Sequence, residues 1–517
     1  MSYRLGIDVG GTNTDAVILD EEHRVTAKSK KPTSPDISTG IGQAVEVVLT
    51  ESGVDPGRIE HAMLGTTHAT NAIVERKGLA KVGVLRLGAP CGLAIPPMLD
   101  WPEDMPGYVG RNYRMVKGGY EFDGQIISQP EAAEIETACR ALKEGGAEAL
   151  AVSCVFSPVN HEQEALAGEA ARRVLGDDFS ISLSSEVGTI GILERENATI
   201  LNAAILRIAD KAYGAFKDIL TGHGIKADLF ITQNDGTLMA VDYARKYPVF
   251  TIASGPTNSL RGAAFLSGLS DCIVVDVGGT TTDVGVLKSG FPRESTMAVE
   301  IGGVRTNFRM PDLISIGLGG GSKVREEEGR VRVGPDSVGF RITEEALVFG
   351  GSTLTATDVA VALNRFDLGD KAKVGHLKQD LTRAAEAEIR EMVEEVIDRM
   401  KTSAQDVDVV LVGGGSIVLP RELKGAGRVV VPDNFDVANA IGAAISQVSG
   451  SIDGVFDVAT KGREAVIKEV KTGAREEAVK AGAKEETIEI VDLEEIPLAY
   501  LPSNAVRFRV KAVGELE

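Results

Sequence analysis

At 517 residues, with 43% hydrophobic and 25% charged residues, the chain has the composition of a soluble globular protein of two or three domains. Its formal net charge of −20 argues against nucleic acid or an anionic membrane as partner, because both would repel it. An anionic ligand would have to be held by local backbone donors or by a cation.

The opening MSYRLGIDVG passes straight into strand-like sequence without a leader pattern, and no apolar run is long enough to span a bilayer, so a cytoplasmic protein is expected. The four cysteines, Cys91, Cys139, Cys154 and Cys272, are widely spaced and form no CxxC or zinc pattern, in keeping with free thiols in a reducing compartment. Residues 5–9 and 16–19 are strand-like runs around the glycine-rich turn DVGGTNTD (residues 8–15), which predicts a hairpin. Gly10 and Gly11 permit close backbone approach and an anion-binding nest of amides, and Thr12, Asn13 and Thr14 add side-chain donors suited to phosphate oxygens. Asp8 ends the first strand, where a carboxylate suits Mg2+ held mostly through water.

Helical periodicity follows over 40–52, then a strand at 62–64 runs into GTTHATNA and a helix over 71–77. Ligands of α/β folds gather at such turns, while Thr66 or Thr67 serving only as a helix cap explains the pattern equally well. His68 is open between packing the loop and touching a substrate. After a strand at 81–87, residues 90–130 become irregular and rich in Pro, Gly and aromatics, including Trp101 and Tyr120. This stretch is either a lid, a partner surface or a satellite hydrophobic cluster. Helix 131–145, strand 149–155, helix 160–175 and strand 180–184 predict a mixed sheet flanked by helices.

A long helix over 190–216 contains ERENATILNA, with Arg195, Thr199 and Asn202 near the expected crossing between domains. A strand at 229–232 ends in QNDG, and SGP (254–256) precedes a small-residue helix, 258–266. The opening motif then returns. DVGGTTTDVGVL (276–287) matches DVGGTNTDAVIL (8–19) at eight of twelve positions, one supersecondary unit used twice. Asp276, Gly278, Gly279, Thr280, Thr281 and Thr282 repeat the roles of Asp8 to Thr14, two ordinary capped turns being the alternative. Asp15 and Asp283 close the hairpins, either orienting an attacking group or bracing the turns. No GxxxxGK[ST] stretch is present, so a Walker loop is not the phosphate binder.

Strands are expected at 298–301 and 306–309, residues 317–322 form either a second nest or a flexible turn, and a long amphipathic helix covers 376–400. A strand at 408–412 leads into Gly413, Gly414, Gly415 and Ser416, where three glycines allow close approach to a flat ring. The alanine-rich helix 434–448 crosses back between domains as a hinge. Beyond 449, a charged helix over 463–486 and strands at 487–492 and 505–513 make a small α+β appendix, a partner or homo-oligomer surface.

The paired DxGGT hairpins resemble the phosphate loops of the actin–hexokinase–heat-shock chaperone ATPase superfamily. Within it, the chain resembles the hydantoinase A / 5-oxoprolinase family through DVGGTNTD, GTTHATNAIVERKG (65–78), SGP (254–256), DVGGTTTD and SIGLGGGS (315–322), as far as about residue 444. The resemblance implies an α/β fold of two ribonuclease-H-like, actin-like ATPase domains around a nucleotide cleft, with boundaries at 1–186, 187–448 and 449–517. It implies ATP and Mg2+, with Asp8 and Asp276 orienting the metal, the two hairpins on the phosphates, and Gly413–Ser416 against adenine and ribose. Thr66, Thr67, His68, Asn71 and Arg195 fall on the substrate side. The implied activity is phosphorylation of the carbonyl of a cyclic amide (hydantoin, 5-oxoproline or another lactam) for ring opening. No HxH, HExxH or Cys/His/Asp constellation is visible for the hydrolytic step, so a hydantoinase B-like partner subunit is expected. Ketone carboxylases share the phosphorylating half. A small-molecule kinase and a nucleotide-dependent switch are the other readings. The larger members carry extra sequence around 340–363, which leaves substrate contacts there open.

Overall fold

The computed structural model describes residues 2–33, 37–295, 299–308, 310–498 and 505–517. The first hairpin, Tyr3–Val9 and Asn13–Leu19, belongs to a nine-stranded mixed sheet. Its register sets Asp8 opposite Asp15 and Val9 opposite Thr14. Val25–Pro32 flanks it on one side. On the other follow Ile59–Thr66, Asp228–Thr232, Leu238–Ala240, Val448–Asp457, Ala505–Gly514 and Glu489–Pro497. Side chains alternate between the faces of a strand. Leu5, Ile7, Ala16 and Ile18 therefore pack on Ala44, Val45 and Val48 of helix Ile37–Ser52, and Val17 and Leu19 on Ala440, Ile441 and Ala444 of helix Ala438–Ile445.

The second hairpin, Cys272–Val277 and Thr282–Lys288, repeats the arrangement in a six-stranded sheet with Asp276 opposite Asp283. Val275 and Val277 pack on Ile389 and Val393 of helix Gln379–Met400, and Val274 on Leu260 and Ala263 of helix Ser254–Ser267. The helices Ser254–Ser267 and Ala438–Ile445 cross between the two sheets at glycines. A Cβ on Gly262 would overlap the carbonyl of Ala438, and one on Gly442 the carbonyl of Asn258. The lobes are thus joined backbone against backbone.

A separate four-stranded parallel sheet, in the order Tyr113–Lys117, Val82–Ala89, Ala149–Cys154 and Ser180–Leu183, is covered on both faces, as parallel sheets require. Leu85, Leu87 and Val152 meet helices Ala132–Glu144 and Glu162–Leu175, while Val84 and Ala151 meet helix Ile192–Gly222.

The sheets do not follow the boundaries expected at 186 and 448. Strands between 228 and 240 and the described strands of the C-terminal appendix extend the sheet of the first hairpin, and helix Arg463–Lys480 packs on them. Tyr113–Lys117 is a strand within a stretch expected to be irregular. It is an edge strand paired on one side only, so little in its sequence marks it. The helix expected over 434–448 spans only Ala438–Ile445, because Val448 already opens a strand beside Leu238. The strands expected at 298–301 and 306–309 are a tight hairpin, Val299–Ile301 with Val304–Thr306, and Ala298 and Arg309 lie outside the described residues. Among the described residues, no helix is long and apolar enough to cross a membrane.

Candidate active site

The two glycine-rich tips meet. The hydroxyls of Thr12 and Thr280 are 3.4 Å apart, and a Cβ on Gly279 would stand 2.6 Å from the Thr12 methyl. In each tip the first glycine closes the turn: Gly10 N–H donates to the Asn13 carbonyl and Gly278 N–H to the Thr281 carbonyl, both at 2.9 Å. Among the described residues, no acceptor takes the backbone N–H of Gly11, Thr12, Gly279 or Thr280. Four unspent amides from two facing turns make an anion nest. The Thr14 hydroxyl is buried without a partner, whereas that of Thr282 donates to the Leu318 carbonyl at 2.7 Å. Residues 317–322 are not a second nest. Gly319 N–H donates to Ser322 Oγ, and Gly320 and Gly321 donate to the carbonyls of Gly278 and Gly279, bracing the second tip.

Below the tips lie the carboxylates. Asp8, 3% exposed, accepts from Asn258 Nδ2 at 2.9 Å and from Asn439 Nδ2 at 3.0 Å. Asn439 also donates to Asp15 at 2.9 Å, and Lys30 Nζ pairs with Asp15 at 2.8 Å while donating to the Asp436 carbonyl. Ser259 lowers the Asp276 carboxyl against the effect of burial, and Ser315 Oγ donates to Asp283. Burial pushes the Asp8 carboxyl up to about 6, with Asp15 and Asp276 adding to the shift against the two amide donors. Burial also raises Asp276, and takes Asp283 up to about 6. Acids raised by burial and by one another form a site that a divalent cation would relieve. Among the described residues, no three acidic, His or Cys side chains gather as a direct ligand set, so Asp8 and Asp276 fit a cation held largely through water.

The glycine turn at 413–416 packs on the same place. A Cβ on Gly413 (φ +82°) would overlap the Asp276 carboxylate, one on Gly415 the Gly278 carbonyl, and one on Gly414 would stand 3.1 Å from Lys30 Cε. Ser416 N–H donates back to the Gly413 carbonyl.

On the other side of Asp8, a Cβ on Gly65 would overlap its carboxylate. Thr67 Oγ1 donates to the Val9 carbonyl at 3.3 Å and accepts from Asn71 Nδ2 at 3.3 Å. Thr66 Oγ1 pairs with His68 Nδ1 at 2.6 Å, and burial holds that imidazole below its ordinary range. Thr67 makes no side-chain cap on helix His68–Glu75, so the cap-only explanation does not hold for it.

Arg195 is not with them. It is 1% exposed and donates to Ser184 Oγ at 2.9 Å, the Thr189 carbonyl at 2.9 Å and the Cys154 carbonyl at 2.6 Å, which fastens the long helix to the four-stranded sheet. The expected substrate contact is therefore corrected to a strut. Arg195→Met should lower unfolding stability in urea by about 3 kcal/mol, because three acceptors lose their donor. A raised KM at unchanged stability would restore the substrate role. Thr199 and Asn202 are likewise spent on Arg195, Ser182 and Lys246.

Sequence reasoning missed Lys30, Asn258 and Asn439. For the two asparagines a signal exists. Each lies one turn before a helix-contact glycine, in NSLRG and NAIG, and an amide buried among small residues needs a polar partner.

Two lobes built on the same hairpin and meeting tip to tip define an actin-like α/β fold. The chain belongs to the hydantoinase/oxoprolinase family: the family's N-terminal region matches residues 4–175, and the hydantoinase/oxoprolinase region proper matches residues 195–370. It is 29% identical to caprolactamase subunit alpha of Pseudomonas jessenii over 472 residues, which is 86% of this chain and 65% of that one. It is 28% identical to acetophenone carboxylase gamma subunit of Aromatoleum aromaticum over 395 residues, 69% of this chain and 53% of that one. The chain thus spans between about half and two thirds of these curated relatives. The crystal structure of the ATP-dependent caprolactamase from Pseudomonas jessenii matches with a TM-score of 0.81 at 21% identity, covering 100% of this chain and 88% of that one. Nucleotide-free acetone carboxylase matches with a TM-score of 0.71 at 18% identity, covering 99% and 88%. At these identities the two structures speak for the fold.

Proposed function

We propose that this chain is the ATP-dependent phosphorylating component of a hydantoinase/oxoprolinase-type enzyme, acting on the carbonyl oxygen of a cyclic amide. The observation that carries the reading is the contact of Thr12 with Thr280, which turns two separate nests into one anion site above Asp8 and Asp276. The amides of Gly11, Thr12, Gly279 and Thr280 bind phosphate oxygens, and Asp8 and Asp276 hold the water shell of Mg2+. That cation, when bound, neutralises phosphate charge. Gly413–Ser416 lie against adenine and ribose, and Asp15 and Asp283 brace the hairpins.

Thr66, Thr67, His68 and Asn71 line the acceptor side. An amide oxygen already carries partial negative charge and needs no general base, unlike a sugar hydroxyl. That agrees with a His68 ring held neutral and engaged by Thr66. The relatives named as subunits support a separate partner, which on this reading is of the hydantoinase B type and carries the hydrolytic step. The acetophenone and acetone carboxylase relatives favour a second reading, in which the phosphorylated carbonyl is a ketone enolate.

ADP release measured with a panel of lactams and ketones, with and without the partner subunit, tests the proposal. Lactam-stimulated turnover that requires the partner is the expected result. A stable phosphoester made by the chain alone would overturn it, as would turnover indifferent to every small molecule.

A further inference from the structure

Helix Ser254–Ser267 carries more than its crossing glycine. It is entered through Ala253, a non-glycine residue at φ +64°, the kind of backbone strain that collects at functional sites. One of its early residues reaches an acid of the site: Asn258 donates to Asp8. Yet the turn's own donors are idle. Ser254 is 1% exposed and its Oγ has no hydrogen-bond partner. Among the described residues, no acceptor takes the N–H of Ser254 or of Gly255, which is also buried. Buried donors are almost always paired, and three idle ones at the positive end of a helix form a receptor awaiting an anion. The turn borders the acceptor side of the site: a Cβ on Gly255 would lie 3.7 Å from the Thr67 methyl and 3.9 Å from Asp8 Oδ2.

We propose that the first turn of this helix is a tetrahedral-oxyanion subsite, in which the N–H groups of Ser254 and Gly255 and the hydroxyl of Ser254 hold a phosphoryl group on the acceptor side of Asp8. The subsite deepens the phosphoryl-transfer reading above, and the identity of the anion rests on that reading. Gly255 keeps the subsite open, because a methyl there would fit in ordinary van der Waals contact with Thr67 and Asp8 and so fill the space between them.

The test is calorimetric titration of the full chain with inorganic phosphate in the presence of saturating ADP and Mg2+, which occupy the hairpin amides that would otherwise take the phosphate themselves, beside Ser254→Ala and Gly255→Ala. The wild type is expected to bind, and each variant to bind roughly tenfold more weakly with an unchanged melting temperature, as befits loss of one charge-assisted donor or filling of the space. Failure of the wild type to bind phosphate, or wild-type affinity in both variants, overturns the subsite. If one variant does not fold, the other decides. Lactam-stimulated ADP release is read in parallel. Its absence alongside the expected loss of phosphate binding would sink the cyclic-amide reading and leave the subsite standing. Normal lactam turnover with unchanged phosphate binding would do the reverse.

Discussion

Asp8→Ala and Asp276→Ala should each lower ATP turnover by roughly a hundred- to a thousandfold, the scale on which removal of one preorganised electrostatic group acts. Stability should move differently. The Asp8 carboxyl is raised to about 6, above the unfolded value of ~3.9. Between those values the folded chain holds a proton that the unfolded chain has released, so this group's contribution to stability falls as pH rises from about 4 through 6. The loss is on the order of 3 kcal/mol by pH 7. A bound divalent cation removes that penalty by stabilising the ionised form, and it competes with protons in acid. Mg2+ should therefore raise the melting temperature at pH 7.5, do little at pH 5, and do nothing for Asp8→Ala at either pH. Mg2+ stabilisation that survives in Asp8→Ala would place the cation elsewhere.

Gly442→Ala should be a strongly damaging single methyl, as Gly262→Ala should be on the facing helix. The carbon added at Gly442 would overlap the carbonyl of Asn258 and lie 2.8 Å from the amide of Gly262, both backbone atoms of the facing helix. Backbone cannot step aside as a flexible side chain can, so the overlap should cost about 3 kcal/mol, the upper end for an overpacked site. The displaced helix also carries Asn258, so the Asp8 hydrogen bond should loosen and turnover should fall together with stability. Gly11→Ala is the contrast. Nothing lies within 4 Å of its added carbon, and urea unfolding should be unchanged. A wild-type urea midpoint for Gly442→Ala would show that the crossing helices are not the rigid joint described here.

The hairpins were legible because their chemistry is local. Glycine pairs, flanking β-branched runs and a terminal Asp all fall between residues 5 and 19, and the second copy removes most of the ambiguity of the first. The contact between Thr12 and Thr280 was inferable only from the family resemblance, since nothing local fixes how two hairpins 268 residues apart (276 minus 8) are set against each other. Arg195 misled for the opposite reason. A charged residue in a helix signals function or solvent with equal force, and only its three buried acceptors reveal the strut. Lys30 was invisible, because its partner Asp15 lies across a strand register that sequence alone does not give. The C-terminal strands escaped notice as part of the first sheet. Sheet order is long-range information, and Val448 joins Leu238 across more than two hundred residues.

A crystal structure of the chain with a non-hydrolysable ATP analogue and Mg2+ bears most directly on the whole account. The triphosphate should lie on the amides of Gly11, Thr12, Gly279 and Thr280, with the cation's water shell on Asp8 and Asp276. A triphosphate bound away from both tips, or touching only one of them, would contradict it.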